Sequence, residues 1–298
     1  MPSSAIVMLN SQAGDQAAAR LRPQISAWLG RNAAGVPLLE PRSAHEALAT
    51  LIILAPRSRV VLVGGDGTLH SMLPALLRRG HQLGLVPCGR SNRLAHRLGL
   101  TTLAWEQALH LALEQPARAI DLGQVDTPHG SWPFASCLSA GFEARITAHE
   151  QQLPLWLSHQ PLRSLSAFMG EQRRFETTPM RIWVDGQLRH DDRSLSISLG
   201  LRSSPDHPPT ERSVSAQIAA RVLGPVSRLT ALRSVLSRDR SPEHPKIESF
   251  SLRQIQVDAT RDLPLVADGE PLPNTPRFGV QLLSRAVQAV GRFSPVTA

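Results

Sequence analysis

At 298 residues and 42% hydrophobic content, the chain can bury sizeable cores in two domains, and no stretch approaches the roughly 20 apolar residues of a membrane span. The formal charge of +8 comes almost wholly from arginine, Lys246 being the single lysine. That surplus is spread along the chain without a basic tail, which favours phosphorylated molecules and phospholipid headgroups and speaks against nucleic acid. Cys88 and Cys137, outside any CxxC pattern, give no disulfide framework and fit a reducing cytoplasm, and the apolar run from Ala5 to Leu9 is too short for a signal peptide.

In chain order, "AIVML" reads as a strand, followed by a helix through Leu21 and Trp28 and a second strand at "GVPLL". "SAHEALATLIILA" is a helix opening on the capping-box pair Ser43 and Glu46. "VVLVGG" is a buried strand leading into a helix from about Thr68 to Leu77; "LGLVP" leads into helical stretches at 91–98 and 105–114. Strands alternating with helices predict an α/β domain over residues 1–124, a mostly parallel sheet with helices on both faces. From "AIDLGQVD" onward, alternating runs such as "MRIWVDGQLRH", "SLSISLGL" and "KIESFSLRQIQVDA" predict antiparallel strands, interrupted by helices near 142–149, 162–174 and 226–238. Residues 125–283 thus form a β-rich, sandwich-like domain, and "SRAVQAV" opens an expected helix over 284–298 that completes the first domain. "RSSPDHPPTER" and "SRDRSPEHPK" read as exposed, mobile loops.

The chemistry concentrates in "VVLVGGDGTLH", Val60 to His70. A glycine-rich turn between a buried strand and a helix lets a ligand approach the backbone and offers it N–H groups at the helix N-terminus, an arrangement suited to phosphate. It is not a Walker A loop, which needs a lysine, nor a Rossmann GxGxxG. Asp66 repels phosphate by itself, so it fits if it holds Mg²⁺ through water or polarises an attacking hydroxyl; otherwise Asp-Gly is simply a favoured turn dipeptide. A second strand-to-helix turn follows in "VPCGRSNRLAHRLGL", with Pro87, Gly89 and Asn92, and neighbouring strand ends of a parallel sheet open on one crevice.

Two such turns resemble the ATP site of the diacylglycerol kinase and sphingosine kinase superfamily, where "GGDGT" precedes a P-x-G-[TS]-x-N-x-[LF]-A turn. "VMLNSQAG" is similar to that family's N-terminal loop, "AIDLGQV" to its I-D-L-G strand, "SAGFEA" to its S-x-G-[FI]-D-A turn and "VADGEPL" to its D-G-E. The resemblance implies an ATP- and Mg²⁺-dependent lipid kinase with its active site in the cleft between the two domains. Gly64, Gly65, Gly67 and Thr68 would cradle the nucleotide phosphates with Asn10, Gly89 and Asn92. Asp66 and Asp121 would lie in the Mg²⁺ and water network. Glu270 would be the general base, a role given in sphingosine kinases to the aspartate equivalent to Asp66. The implied partners are a lipid substrate at the membrane surface and anionic phospholipid, met from the cytoplasm as a peripheral protein; an edge strand of the β-rich domain leaves room for a homodimer.

The chain departs from the pattern at Arg90, in place of Thr or Ser, and at Arg93, where bacterial diacylglycerol kinases usually carry aspartate; the N-G-R-[YF] segment is also missing near "LGLRSSPDHPP". A cation there weakens a Mg²⁺ network of the bacterial type, although Arg90, Arg93 or Arg145 offers a charge in place of the missing lysine. The alternative is therefore a non-catalytic relative that binds nucleotide or lipid as a regulatory module. A soluble-substrate kinase similar to NAD kinase shares "GGDGT" but not "ADGE". "HEQQL" at His149 lacks the second histidine of a zinc protease, and His190 to Asp192 read as a polar turn. The stretch from Leu153 to Phe175, with Trp156, Leu162, Leu165, Phe168 and Met169 beside Arg163, Arg173 and Arg174, reads as a core-facing helix with a solvated basic face or as one that docks on anionic membrane.

Overall fold

The computed structural model describes residues 4–154, 157, 160–202, 217–236 and 244–293. Those residues fall into two compact units, one built from 4–122 and 283–293 and the other from 123–202, 217–236 and 244–282 with the gaps just given. Trp156, nearly all of "RSSPDHPPTER" and most of "SRDRSPEHPK" lie outside the described residues.

In the first unit, β1 (Ala5–Leu9), α1 (Ala13–Asn32), β2 (Leu38–Leu39), α2 (Ala44–Ile53), β3 (Arg59–Gly64), α3 (Asp66–Arg79), β4 (Gln82–Pro87), α4 (Arg93–Arg97) and α5 (Trp105–Glu114) alternate as the sequence predicts. β5 (Arg118–Thr127) then carries the chain into the second unit. The strands stand in the order β2-β1-β3-β4, all parallel. Val7, Leu9, Val61, Val63 and Val86 pack with Ala18, Ile25 and Leu29 of α1 and Ala108, Leu109 and Ala112 of α5. Ile6, Met8, Val60 and Leu62, which alternate with them and point to the other face, are also buried, so both faces are covered. Arg59, buried at the start of β3, donates to Leu113 O at 2.5 Å and to Gln82 Oε1 at 2.8 and 3.2 Å, tying β3, β4 and the end of α5 together. Desolvation lowers its pKa, with Glu114 pulling the other way.

The predicted start of α2 is confirmed in half. Ser43 Oγ accepts the Glu46 N–H at 3.1 Å, but the Glu46 carboxylate accepts from the Arg42 N–H at 2.8 Å and not from Ser43.

The second unit takes in β6 (Gly130–Phe134), β7 (Cys137–Gly141), α6 (Phe142–Gln152), α7 (Gln160–Glu171) with a 3-10 turn (Gln172–Arg174), and β8 (Thr178–Val184). It continues through β9 (Gln187–Ser194), β10 (Ser196–Arg202), β11 (Gln217–Leu223), α8 (Arg228–Leu236), β12 (Ile247–Leu252), β13 (Gln254–Ala267) and the first part of β14 (Glu270–Ala289). The strand order β12-β11-β10-β7-β13-β14 is antiparallel, with the β8–β9 hairpin on β13. Its core includes Phe134, Ile182, Leu199, Ile218, Ile255, Leu265 and Val280. A separate cluster joins α6, α7 and α8 through Phe142, Ile146, Phe168 and Val235, with the Phe142 ring edge-on to Phe168 at 5.5 Å and Phe175 at 5.0 Å.

Two expectations are corrected. Ser284 to Ala289 are strand, the end of β14, not the start of a helix: Arg285 takes φ +52, which a right-handed helix forbids, and Gln288 and Ala289 pair in parallel with Gln82 and Leu83. Seven residues hold too little pattern to separate period 2 from period 3.6, and here the open edge of β4 decides. His190, Asp191 and Asp192 lie inside β9, and the turn before it is Asp185–Gly186, both at positive φ.

Candidate functional site

β3 and β4 end side by side, with Gly64 paired to Pro87 and Cys88 N–H donating to Gly64 O at 2.9 Å. Each strand then runs into its glycine turn, and the two turns touch through their backbones. A Cβ on Gly65 would sit 2.8 Å from Gly89 Cα, and one on Gly89 would sit 2.5 Å from Gly65 Cα. Any side chain at either position forces the turns apart, which is the physical reason for glycine at both.

The loop after β1 locks onto the same place. Asn10 Nδ2 donates to Thr68 Oγ1 at 2.7 Å, while Asn10 Oδ1 accepts the Gln12 N–H at 3.1 Å. Gly14, in the left-handed region at φ +60, approaches Cys88 so closely that a Cβ would fall 1.7 Å from the Cys88 carbonyl oxygen. Asp15 and Gln16 share its left-handed conformation, so α1 becomes regular only beyond them. Burial among these loops pushes the Cys88 thiol up to about 11, which keeps it protonated and unreactive at neutral pH.

Asn92 shapes the second turn. In left-handed conformation at φ +45, it accepts the Gly89 N–H on Oδ1 at 2.9 Å and donates from Nδ2 to Gly89 O at 2.6 Å. Its amide is thus spent on the turn itself. Asp66, half-buried in the first turn of α3, accepts the Arg93 backbone N–H on Oδ1 at 2.8 Å. A carboxylate is favoured there by the helix N-terminus, and it joins α3 to the start of α4. The departure at Arg93 leaves this bond intact because the backbone supplies it. Arg90 is exposed and so does not fill the cradle.

The structure thus brings together Asn10, Gly64, Gly65, Asp66, Gly67, Thr68, Gly89 and Asn92. Asp121, on β5, accepts the Arg285 N–H on Oδ1 at 2.6 Å, from the left-handed kink in β14. Glu270 belongs to the second unit, where it opens β14 opposite Ala267 after the Asp268–Gly269 turn. Among the described residues no group of three or more His, Cys, Asp or Glu side chains stands close enough to hold a metal ion. Mg²⁺ commonly takes one or two carboxylates and fills its remaining positions with phosphate oxygens and water, so Asp66 beside a glycine cradle fits it as part of a nucleotide complex.

Sequence reasoning missed Asp268. Buried in the second unit at 5% exposure, it accepts the N–H groups of Ala135 (2.5 Å), Ser136 (2.8 Å) and Cys137 (3.0 Å), and its own N–H donates to Cys137 O at 2.8 Å. Gln151 Nε2 donates to Gly269 O in the same turn. The D-G-E tripeptide was the available signal, but it drew attention to its glutamate alone.

A second polar cluster has the order of a hydrolytic triad: Ser194 Oγ to His190 Nε2 at 2.7 Å, and His190 Nδ1 to Glu248 Oε1 at 3.0 Å. Ser194 has no exposed surface, so no substrate reaches it and the cluster fastens β9 to β12. His149, on α6, bonds Glu171 Oε1 through Nδ1 at 3.1 Å.

Residues 4–125 match the family described as the diacylglycerol kinase catalytic domain. The chain is 27% identical over 147 residues to a Mycobacterium tuberculosis (strain ATCC 25618 / H37Rv) protein named diacylglycerol kinase, covering 48% of this chain and 47% of that one. It therefore spans about half the length of its mycobacterial relatives. It is 28% identical over 239 residues to lipid kinase YegS of Escherichia coli (strain K12), covering 77% of this chain and 76% of that one. Among solved structures, a candidate diacylglycerol kinase from Bacillus anthracis str. Sterne matches with a TM-score of 0.75 at 17% identity, covering 100% and 99% of the two chains. An NAD kinase from Archaeoglobus fulgidus in complex with ATP matches at 0.53 and 14%, covering 96% and 91%. At such identities the structures speak for the fold alone: an α/β part with a parallel sheet and a β-rich part.

Proposed function

We propose that this chain, a member of the diacylglycerol kinase superfamily by the catalytic domain at residues 4–125, transfers the γ-phosphate of ATP to the hydroxyl of a diacylglycerol-like or sphingoid-like lipid. The observation that carries this reading is the contact of Gly65 with Gly89: two backbone turns at adjacent parallel strand ends, with Asp66 at their seam. Phosphoryl transfer asks a protein mainly for positioning and charge neutralisation. Mg-ATP, when bound, supplies the phosphoryl group and the metal charge that offsets it.

The chain's own residues do the rest. Backbone N–H groups around Gly64, Gly65, Gly67 and Thr68 donate to phosphate oxygens, Gly89 leaves the approach to them clear of a side chain, and Asn10 and Asn92 hold the loops in shape. Asp66 would hold Mg²⁺ through water, with Asp121 as the second acid of that network. Glu270 takes the proton of the acceptor hydroxyl as general base. The lipid acceptor places the protein at a membrane surface, where its net charge of +8 favours anionic phospholipid.

The test supplies Mg-ATP labelled in the γ-phosphate to the full chain with diacylglycerol, a sphingoid base or NAD in parallel. Label in an organic-phase product is expected. Label in NAD alone would overturn the lipid assignment in favour of a soluble-substrate kinase, and no label from folded protein in any arm would favour the non-catalytic regulatory module.

A further inference from the structure

The outer face of α7 is built the wrong way round for a helix that ends in water. Its inner face carries hydrogen-bonded polar groups among its apolar ones. Arg163 Nη1 donates to Leu157 O at 3.0 Å, its Nη2 donates to Glu150 O, and Ser164 Oγ bonds Glu150 Oε1 at 2.5 Å, all beside buried Ala167 and Phe168. These bonds pin α7 to α6 and fix which side faces out. That side presents Leu162, Leu165 and Met169, spaced three and four residues apart along one stripe.

α8, packed beside α7, adds Leu229 and Leu236, one stripe seven residues apart. The five side chains are between 38% and 58% exposed. Elsewhere, exposed large apolar side chains among the described residues are the Ile52–Ile53 pair on α2 and Leu188 on β9.

The exposed charges on the two helices and on the turn after α7 are, among the described residues, all positive. Arg173 and Arg174 follow α7 directly, and Arg228 and Arg233 lie on α8; all four are exposed. Arg228 stands 5.8 Å over the Phe175 ring and donates to Gln172 Oε1 at 3.4 Å, joining the start of α8 to the segment that follows α7. The one carboxylate on the two helices, Glu171, is largely covered and turned to His149 and Arg174. Exposed leucine and methionine rimmed by arginine suit a helix lying in a bilayer interface, with apolar side chains among the acyl chains and guanidinium groups at the headgroups. A protein partner would more commonly be met with buried aromatic anchors, which these faces lack.

We infer that the outer faces of α7 and α8 form the surface by which this protein docks on an anionic phospholipid membrane. The inference rests on the lipid-kinase reading for its purpose but not for its test, since vesicle binding needs no turnover.

The test is co-sedimentation of the full chain with vesicles of phosphatidylcholine alone and of phosphatidylcholine with phosphatidylglycerol. Binding is expected only with the anionic lipid and should weaken as salt rises. The double variant Leu165→Ser/Met169→Ser should lose at least about tenfold in vesicle affinity, by the loss of buried apolar area. Arg173→Gln and Arg174→Gln should each lose roughly fivefold. These side chains are exposed, so circular dichroism and thermal unfolding should match the wild type. Equal binding by the double variant, or no binding to anionic vesicles, would overturn the proposal, as would a dimer in sedimentation equilibrium that Leu165→Ser/Met169→Ser dissolves. Vesicle binding without phosphate transfer would leave this surface standing and remove the kinase reading.

Discussion

Asp66→Asn should lower lipid phosphorylation by at least about a thousandfold, some 4 kcal/mol of transition-state stabilisation, while the protein stays folded. The separation of the two effects follows from the geometry. The structural task of the carboxylate is to accept the Arg93 N–H on Oδ1 at 2.8 Å, and an asparagine oxygen can still do that. What the amide cannot do is carry a negative charge, which the proposed role of Asp66 in holding Mg²⁺ through water requires. Asp66→Ala should lose both, with about 1 kcal/mol of stability going with the lost helix-capping bond. Transfer assays and urea unfolding on the two variants check this together. Undiminished transfer by Asp66→Asn would remove the aspartate from the chemistry.

Asp268→Ala should destabilise the second unit by about 3 kcal/mol or more, because it strands three N–H donors, each worth about 1–3 kcal/mol when left unpaired. Those donors belong to Ala135 and Ser136, immediately ahead of β7, and to Cys137, its first residue, so their loss loosens the strand that carries Leu138 and Ala140 into the core. Asp268→Asn should cost less, since one oxygen remains, although its amide group would oppose one N–H. Glu270→Gln, two residues on, should leave the unfolding midpoint unchanged and reduce transfer. Urea unfolding of the three variants separates these roles, and an unfolding curve for Asp268→Ala that overlays the wild type would contradict the structural one.

What the sequence revealed depended on how local the determining interaction was. β3 and β4 announce themselves as apolar runs ending in glycine, and α5 was bounded at Trp105 and Glu114 by helical pattern alone. The glycines of the two turns are legible as points where the backbone must stay bare, but their close approach to each other is not. Roles fixed by distant partners were not legible. Nothing near Asp268 in sequence points to Ala135, 133 residues away, and nothing near Asp66 points to the Arg93 N–H. The bonds of Asn92 to Gly89 across its own turn depend on its left-handed backbone, which the sequence alone does not announce. The end of β14 was misread because the open edge of β4, not local propensity, makes it a strand.

The proposed task of the two touching glycine turns is to hold a nucleotide, and equilibrium binding of Mg-ATP to wild type, Gly89→Ala and Gly35→Ala tests it most directly. A Cβ at Gly89 meets Gly65 Cα at 2.5 Å, whereas one at Gly35 meets nothing within 4 Å. The prediction is saturable binding by wild type and Gly35→Ala and at least about a tenfold loss, roughly 1.4 kcal/mol, in Gly89→Ala. Equal affinity in all three folded proteins, or no binding by the wild type, would contradict it.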